Sequence, residues 1–112
     1  MEKKKVYAVA TSHLDTVWRW NLATTIKEYL PDTLEKNFDL ADKYPHYKFN
    51  FEGAFRYQLA EEYYPKHFEY LKGLIEKGSW NVAGSSYENG DVNIPSPEAL
   101  YRNIIYGSGY FK

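Results

Sequence analysis

The sequence predicts an α/β fold made of parallel βα units. Three observations carry that expectation. Residues 5–12, 47–52 and 80–83 have strand character, and each is followed by apolar positions at helical spacing. The strands begin a few tens of residues apart, the length one βα unit takes. Alternation of this kind argues for parallel rather than antiparallel pairing.

Each element has its own reason. Lys5, Val6, Tyr7, Ala8, Val9, Ala10, Thr11 and Ser12 are nearly continuous in small or apolar residues, as in a strand covered on both faces. A polar stretch holding Trp18, Trp20, Leu22 and Ile26 follows. Pro31 suits the first turn of a helix; Leu34, Phe38 and Ala41 then repeat at helical spacing, and the pattern stops at Tyr44 and Pro45. Tyr47, Phe49 and Phe51 alternate with Lys48, Asn50 and Glu52, a strand signature. Gly53 ends that strand. Phe55, Leu59 and Tyr63 form one helical stripe, interrupted at Pro65; Phe68, Leu71 and Ile75 form another, closed by Gly78 as a C-terminal cap. Trp80 and Val82 mark the third strand, stopped by Gly84. A polar loop, 85–95, leads to Ser96 as N-cap with Pro97 in the first turn, and Leu100 and Ile104 fit a last helix ending near Gly107.

Three parallel strands with helices outside make a poor closed domain, and a full βα barrel takes about 250 residues. The 112-residue chain ends in a helix and an aromatic tail, Tyr110 and Phe111, with no returning strand. It therefore reads as the N-terminal piece of a larger barrel-like domain, with a complete small three-layer domain as the alternative. Open strand edges would then favour self-association.

Composition removes several function classes. The net charge is −1 and charged residues are 26%, so this is neither an acidic nor a basic tail. With no basic stripe, nucleic acid is not an expected partner. No run reaches the ~18 apolar residues of a membrane helix. Lys3, Lys4 and Lys5 have no apolar region behind them, so no signal peptide is expected in this chain, and the compartment stays open. Without cysteine, any metal must be held by His, Asp or Glu. The unusual feature is twelve tyrosines. Their rings suit either a half-buried core boundary or stacking against sugars.

The densest chemical signal is Ser12, His13, Leu14, Asp15, Thr16, Val17 and Trp18, at the C-terminal end of the first strand. That end faces the active site in parallel α/β folds. Two residues apart on a strand, His13 and Asp15 point to the same side. An imidazole and a carboxylate converging there suit a divalent ion such as zinc; the spacing equally allows them to cap the next helix and bond each other. Trp18 either lies over the same mouth or packs into the core. Glu52 ends the second strand and so faces that mouth. The loop 87–93 brings Tyr87, Glu88, Asn89 and Asp91 to the rim, as a solvated turn or as a substrate contact. His46 and His67 lack a carboxylate at ligand spacing and read as structural, and Glu61 and Glu62 read as solvated.

The stretch from Ser12 to Trp18 resembles the first motif of glycoside hydrolase family 38, the α-mannosidases: a strand-end His-x-Asp-x-x-Trp. A second block agrees in order and spacing. It comprises Gly78, Trp80 and Gly84, then Tyr87 and Asp91, then Asn93, Pro95, Ser96, Glu98, Leu100 and Arg102. The resemblance covers essentially the whole chain. It departs at Tyr87, where many members have Trp, and at Asn103, in place of Gln. It implies a retaining α-mannosidase on a seven-stranded β/α barrel. One zinc would be held by His13, Asp15, the nucleophilic Asp and a more distant His. Trp18 would line the mannose pocket, with Tyr87 and Asp91 also on the substrate. The nucleophile would fall beyond Lys112, so the chain alone would be inactive and its partners would be a mannose-containing glycan and the rest of the catalytic domain. Two other classes compete: a non-catalytic carbohydrate-binding module using Trp18, Trp20 and the tyrosine rim, and a metal hydrolase such as a polysaccharide deacetylase, which lacks a second fitting His.

Overall fold

The computed structural model describes residues 3–112. Three strands, β1 (Ala10–Thr11), β2 (Phe49–Glu52) and β3 (Trp80–Ala83), form one sheet in the order β1-β2-β3. Both pairings are parallel, with Ala10 opposite Phe49, Phe49 opposite Trp80 and Glu52 opposite Ala83. The helices are α1 (Leu22–Thr24), a π-helical turn (Thr25–Tyr29), α2 (Leu30–Lys43), α3 (Ala54–Tyr63), α4 (Pro65–Glu76) and α5 (Pro97–Tyr110).

The alternation read in β2 is real. Phe49 and Phe51 are buried, while Asn50 and Glu52 lie on the other, half-exposed face. The buried face meets Trp80 edge-on, with ring centroids 4.6 Å away for Phe49 and 5.7 Å for Phe51. Leu30, Leu34 and Phe38 of α2, and Leu71 and Leu74 of α4, complete this core. Tyr57 ties it together: its hydroxyl donates to the Phe51 carbonyl at 2.7 Å and accepts from Trp80 Nε1 at 2.9 Å. Burial pushes the Tyr57 hydroxyl pKa well above its usual value, so it stays a neutral donor. On the opposite face Asn81 Nδ2 donates to Asn50 Oδ1 at 3.1 Å, so that face is polar.

Several expectations need correcting. The first strand is two residues long, not residues 5–12, and Val6 and Tyr7 are 91% and 83% exposed rather than covered on both faces. The cause is register: β2 begins at Phe49 opposite Ala10, so residues upstream of Ala10 have no strand beside them. The second strand starts at Phe49 rather than Tyr47. Pro31 does fall in the first turn of α2 as expected, but helical backbone already runs from Leu22. A proline there would clash with the carbonyl four residues back. The wider π turn just before it, in which the Leu30 N–H reaches back to the Thr25 carbonyl, provides the room. On α3 the buried face is Ala54, Arg56, Tyr57, Leu59 and Ala60, while Tyr63 is exposed. On α4, Leu74 rather than Ile75 is buried with Leu71.

Gly78 caps α4 as expected. At φ 70° its N–H donates to the Ile75 carbonyl, and the next N–H, from Ser79, reaches Leu74. Ser96 also caps as expected, accepting from the Ala99 N–H at 3.2 Å. Gly107 does not end α5, which runs on to Tyr110. It is buried, and a Cβ there would run into the backbone of Ser85, Ser86 and Tyr87. Glycine is needed for that close approach. Gly107→Val is expected to lower stability by about 1–3 kcal/mol, as overpacking does. A urea midpoint unchanged from wild type would refute the close approach. Ile104 is half exposed and Leu100 half buried, so the apolar stripe of α5 is only partly covered.

Candidate functional site

The site grows from the carboxyl ends of the three strands. Thr11 pairs with Asn50, so two residues further on His13 comes beside Glu52 at the end of β2. His13 Nδ1 lies 3.8 Å from Glu52 Oε1, and its Nε2 lies 3.2 Å from Asp15 Oδ1. Asn89, from the loop after β3, donates from Nδ2 to Glu52 Oε1 at 2.5 Å. One residue from each strand end thus meets at one rim, as the parallel topology required.

Asp15 does not cap the following helix. Asn21 does so, its side chain accepting from the Thr24 N–H at 3.0 Å. The His13–Asp15 bond expected in the capping account is present, yet the same geometry suits a metal. Two ligands on a tetrahedral ion at bond lengths of about 2.1 Å stand about 3.4 Å apart. The observed 3.2 Å separation is close to that edge. Among the described residues, no group of three His, Cys, Asp or Glu side chains is placed to hold an ion. The pair offers two donor groups at one rim, with Glu52 3.8 Å from the other imidazole nitrogen.

The remaining candidates separate. Trp18 is 67% exposed and so takes no part in the core these residues form. Trp20, by contrast, is half buried: its Nε1 donates to Thr25 Oγ1 at 2.8 Å and its ring meets Tyr29 edge-on. Tyr87 lies against α3, stacked on Phe55 with centroids 5.4 Å apart and donating to Gln58 Oε1 at 2.6 Å. Burial first, then the charge of Glu88, raises its pKa. Asp91 accepts from the Asn93 N–H at 2.9 Å, a turn closed on itself. His67 pairs with Glu35 at 3.0 Å and packs near Phe38, a structural role as expected. Glu61 is not simply solvated, since it accepts from the Tyr110 hydroxyl at 2.8 Å.

Sequence reasoning missed the group beneath the rim. Arg56 is buried, donates from Nε to the Leu14 carbonyl at 2.5 Å, and pairs through Nη2 with Glu88 Oε1 at 2.8 Å. Glu88 also accepts from the Thr16 hydroxyl. Asn103 holds Glu88 from the other side: Oδ1 accepts from its N–H and Nδ2 donates to its carbonyl, each at 2.8 Å. The one available signal was an arginine between Phe55 and Tyr57 in an otherwise apolar helix face.

Residues 3–112 match the glycosyl hydrolases family 38 N-terminal domain. The chain is 32% identical over 108 residues to "Alpha-mannosidase G" of Dictyostelium discoideum, covering 96% of this chain and 10% of the relative. It is 30% identical over 107 residues to "Alpha-mannosidase" of Saccharomyces cerevisiae (95% and 10%) and 23% identical over 106 residues to "Alpha-mannosidase 2C1" of Homo sapiens (95% and 10%). The chain spans about a tenth of the length of these relatives.

Proposed function

Since the chain belongs to the glycosyl hydrolase family 38 N-terminal domain, we propose that it is the opening part of the catalytic domain of a zinc-dependent retaining α-mannosidase. Its substrates are terminal α-mannosides of glycans or oligosaccharides. The observation that carries the reading is the convergence of His13, Asp15 and Glu52 at the carboxyl ends of parallel strands. The relatives' names supply the substrate class. The domain is a seven-stranded β/α barrel in this reading. In its favour, β1 and β3 each have one strand neighbour, leaving edges that a closed barrel would cover. The chain's partner is then the remainder of that domain, and exposed edges explain any self-association of the isolated chain.

Within the site, His13 Nε2 and the Asp15 carboxylate hold the zinc. Bound there, the ion supplies Lewis acidity toward sugar hydroxyls. Glu52 faces His13 Nδ1 at 3.8 Å, and Asn89 fixes Glu52. The exposed indole of Trp18 offers a flat face to a pyranose, and Tyr87 and Asp91 border the substrate. A retaining mechanism needs two carboxyl groups about 5–5.5 Å apart. Asp15 is committed to the metal in this reading, and the resemblance to family 38 assigns the nucleophile to a later strand, beyond Lys112.

The test is hydrolysis of an aryl α-mannoside, with the aryl α-glucoside as comparison. The gene product carrying these residues should turn over the mannoside in the presence of zinc, and the 112-residue chain alone should not. Turnover by the short chain, abolished by His13→Ala, would place a nucleophile within it and overturn this assignment.

A further inference from the structure

Arg56 is the most deeply buried charge among the described residues, 1% exposed, and its Nη1 has no hydrogen-bond partner. Burying a guanidinium with one donor unsatisfied is costly, and an apolar side chain of similar volume would often be as stable. Packing alone therefore does not explain why an arginine stands here. Its partners lie on the loops that follow all three strands. Its own helix, α3, follows β2. Its Nε holds the Leu14 carbonyl, between His13 and Asp15, in the loop after β1. Its Nη2 holds Glu88, in the loop after β3. Glu88 returns to the first loop by accepting from the Thr16 hydroxyl, and the Thr16 carbonyl accepts from Thr25 Oγ1 at 2.6 Å.

From this geometry we infer that Arg56 and Glu88 form a positioning clamp that sets the orientation of His13 and Asp15 for their metal. The clamp grips the main chain at Leu14 and the side chain at Thr16, so Asp15 lies between two fixed points. A planar fork can hold a carbonyl and a carboxylate at once, whereas an ammonium is a single point charge. Gly53 is part of the device. At φ 84° it has no side chain, and a Cβ there would strike the Arg56 guanidinium. Asn103 completes it by fixing the Glu88 main chain in both directions. Arg56 touches neither metal nor sugar in this account; it acts through the loop. The inference rests on the zinc reading of His13 and Asp15.

The test compares wild type, Arg56→Lys and Tyr110→Phe in the gene product carrying these residues. Tyr110→Phe removes a surface hydrogen bond to Glu61, away from the clamp. Two quantities are read: amide exchange of residues 14–16 relative to core amides of β2, by mass spectrometry, and the zinc midpoint, by competition with a chelator. Arg56→Lys keeps the charge and should leave β2 protected. It should speed exchange at residues 14–16 and weaken zinc binding by about tenfold, the lower end of what loss of an outer-shell partner costs. Tyr110→Phe should change neither. Equal exchange and equal zinc midpoints in a folded Arg56→Lys chain overturn the clamp. Should the wild-type gene product bind no zinc, the zinc reading fails, and the exchange comparison alone then decides whether Arg56 orders the loop. Glu88→Gln serves as the second variant if Arg56→Lys does not fold, with the same two expected changes.

Discussion

Trp80→Ala is expected to leave the chain largely unfolded. Trp80 is 2% exposed and its ring meets Phe38, Phe49 and Phe51 at centroid distances of 4.6–5.8 Å. Truncating a buried tryptophan costs about 3–5 kcal/mol, from lost transfer energy and the cavity left behind. A second loss adds to it. The Tyr57 hydroxyl no longer receives the Trp80 N–H, in the middle of the core. Domains of this length are stabilised by roughly 6–17 kcal/mol, and a sheet with two open edges belongs at the low end. The substitution therefore removes a large share of the total. Urea unfolding followed by tyrosine and tryptophan fluorescence measures it. Val92→Ala, at a position 67% exposed, should leave the midpoint unchanged. A Trp80→Ala shift below about 1 kcal/mol would mean that Trp80 is not the centre of this core.

His13→Ala should abolish zinc retention without unfolding the chain. The imidazole side chain is 66% exposed, so little packing is lost. Loss of an outer-shell partner costs about 10–100-fold in metal affinity, and loss of a ligand should cost more. In the gene product the expected outcome is a fall in zinc affinity above about a hundredfold, with mannoside turnover lost in parallel. Glu52→Gln should have a smaller effect, near the outer-shell range, because the amide still faces His13 Nδ1. Metal analysis after dialysis against a weak chelator measures both. Equal zinc content in wild type and His13→Ala would remove His13 from the site.

The sequence carried the layout well where periodicity and sterics speak together. Phe49 and Phe51 alternate with polar neighbours, and only a strand with one buried face satisfies that pattern. Gly78 and Ser96 carried helix ends because few residue types serve those positions. The His13-x-Asp15 spacing at a strand end located the rim. Elsewhere the deciding fact was tertiary. The run 5–12 looks like a covered strand, but a strand needs a neighbour opposite, and β2 starts only at Ala10's level. Gly107 reads as a helix stop in sequence; the reason for glycine is the backbone of Ser85, Ser86 and Tyr87 packed against α5, rather than a turn. Arg56 looks like one more surface charge on a helix. Nothing local says that the Leu14 carbonyl and Glu88 lie beneath it. Asn103, a departure from the family pattern, holds the Glu88 main chain, which no spacing rule could reveal.

The central claim is that the strand-end pair His13 and Asp15 binds the zinc of an α-mannosidase. Anomalous diffraction at the zinc edge, from crystals of the gene product carrying these residues, tests it most directly. The account predicts one peak about 2.0–2.2 Å from both His13 Nε2 and an Asp15 carboxylate oxygen, with Glu52 facing Nδ1. A peak ligated by other residues, or zinc-loaded crystals with no peak at His13 and Asp15, would contradict it.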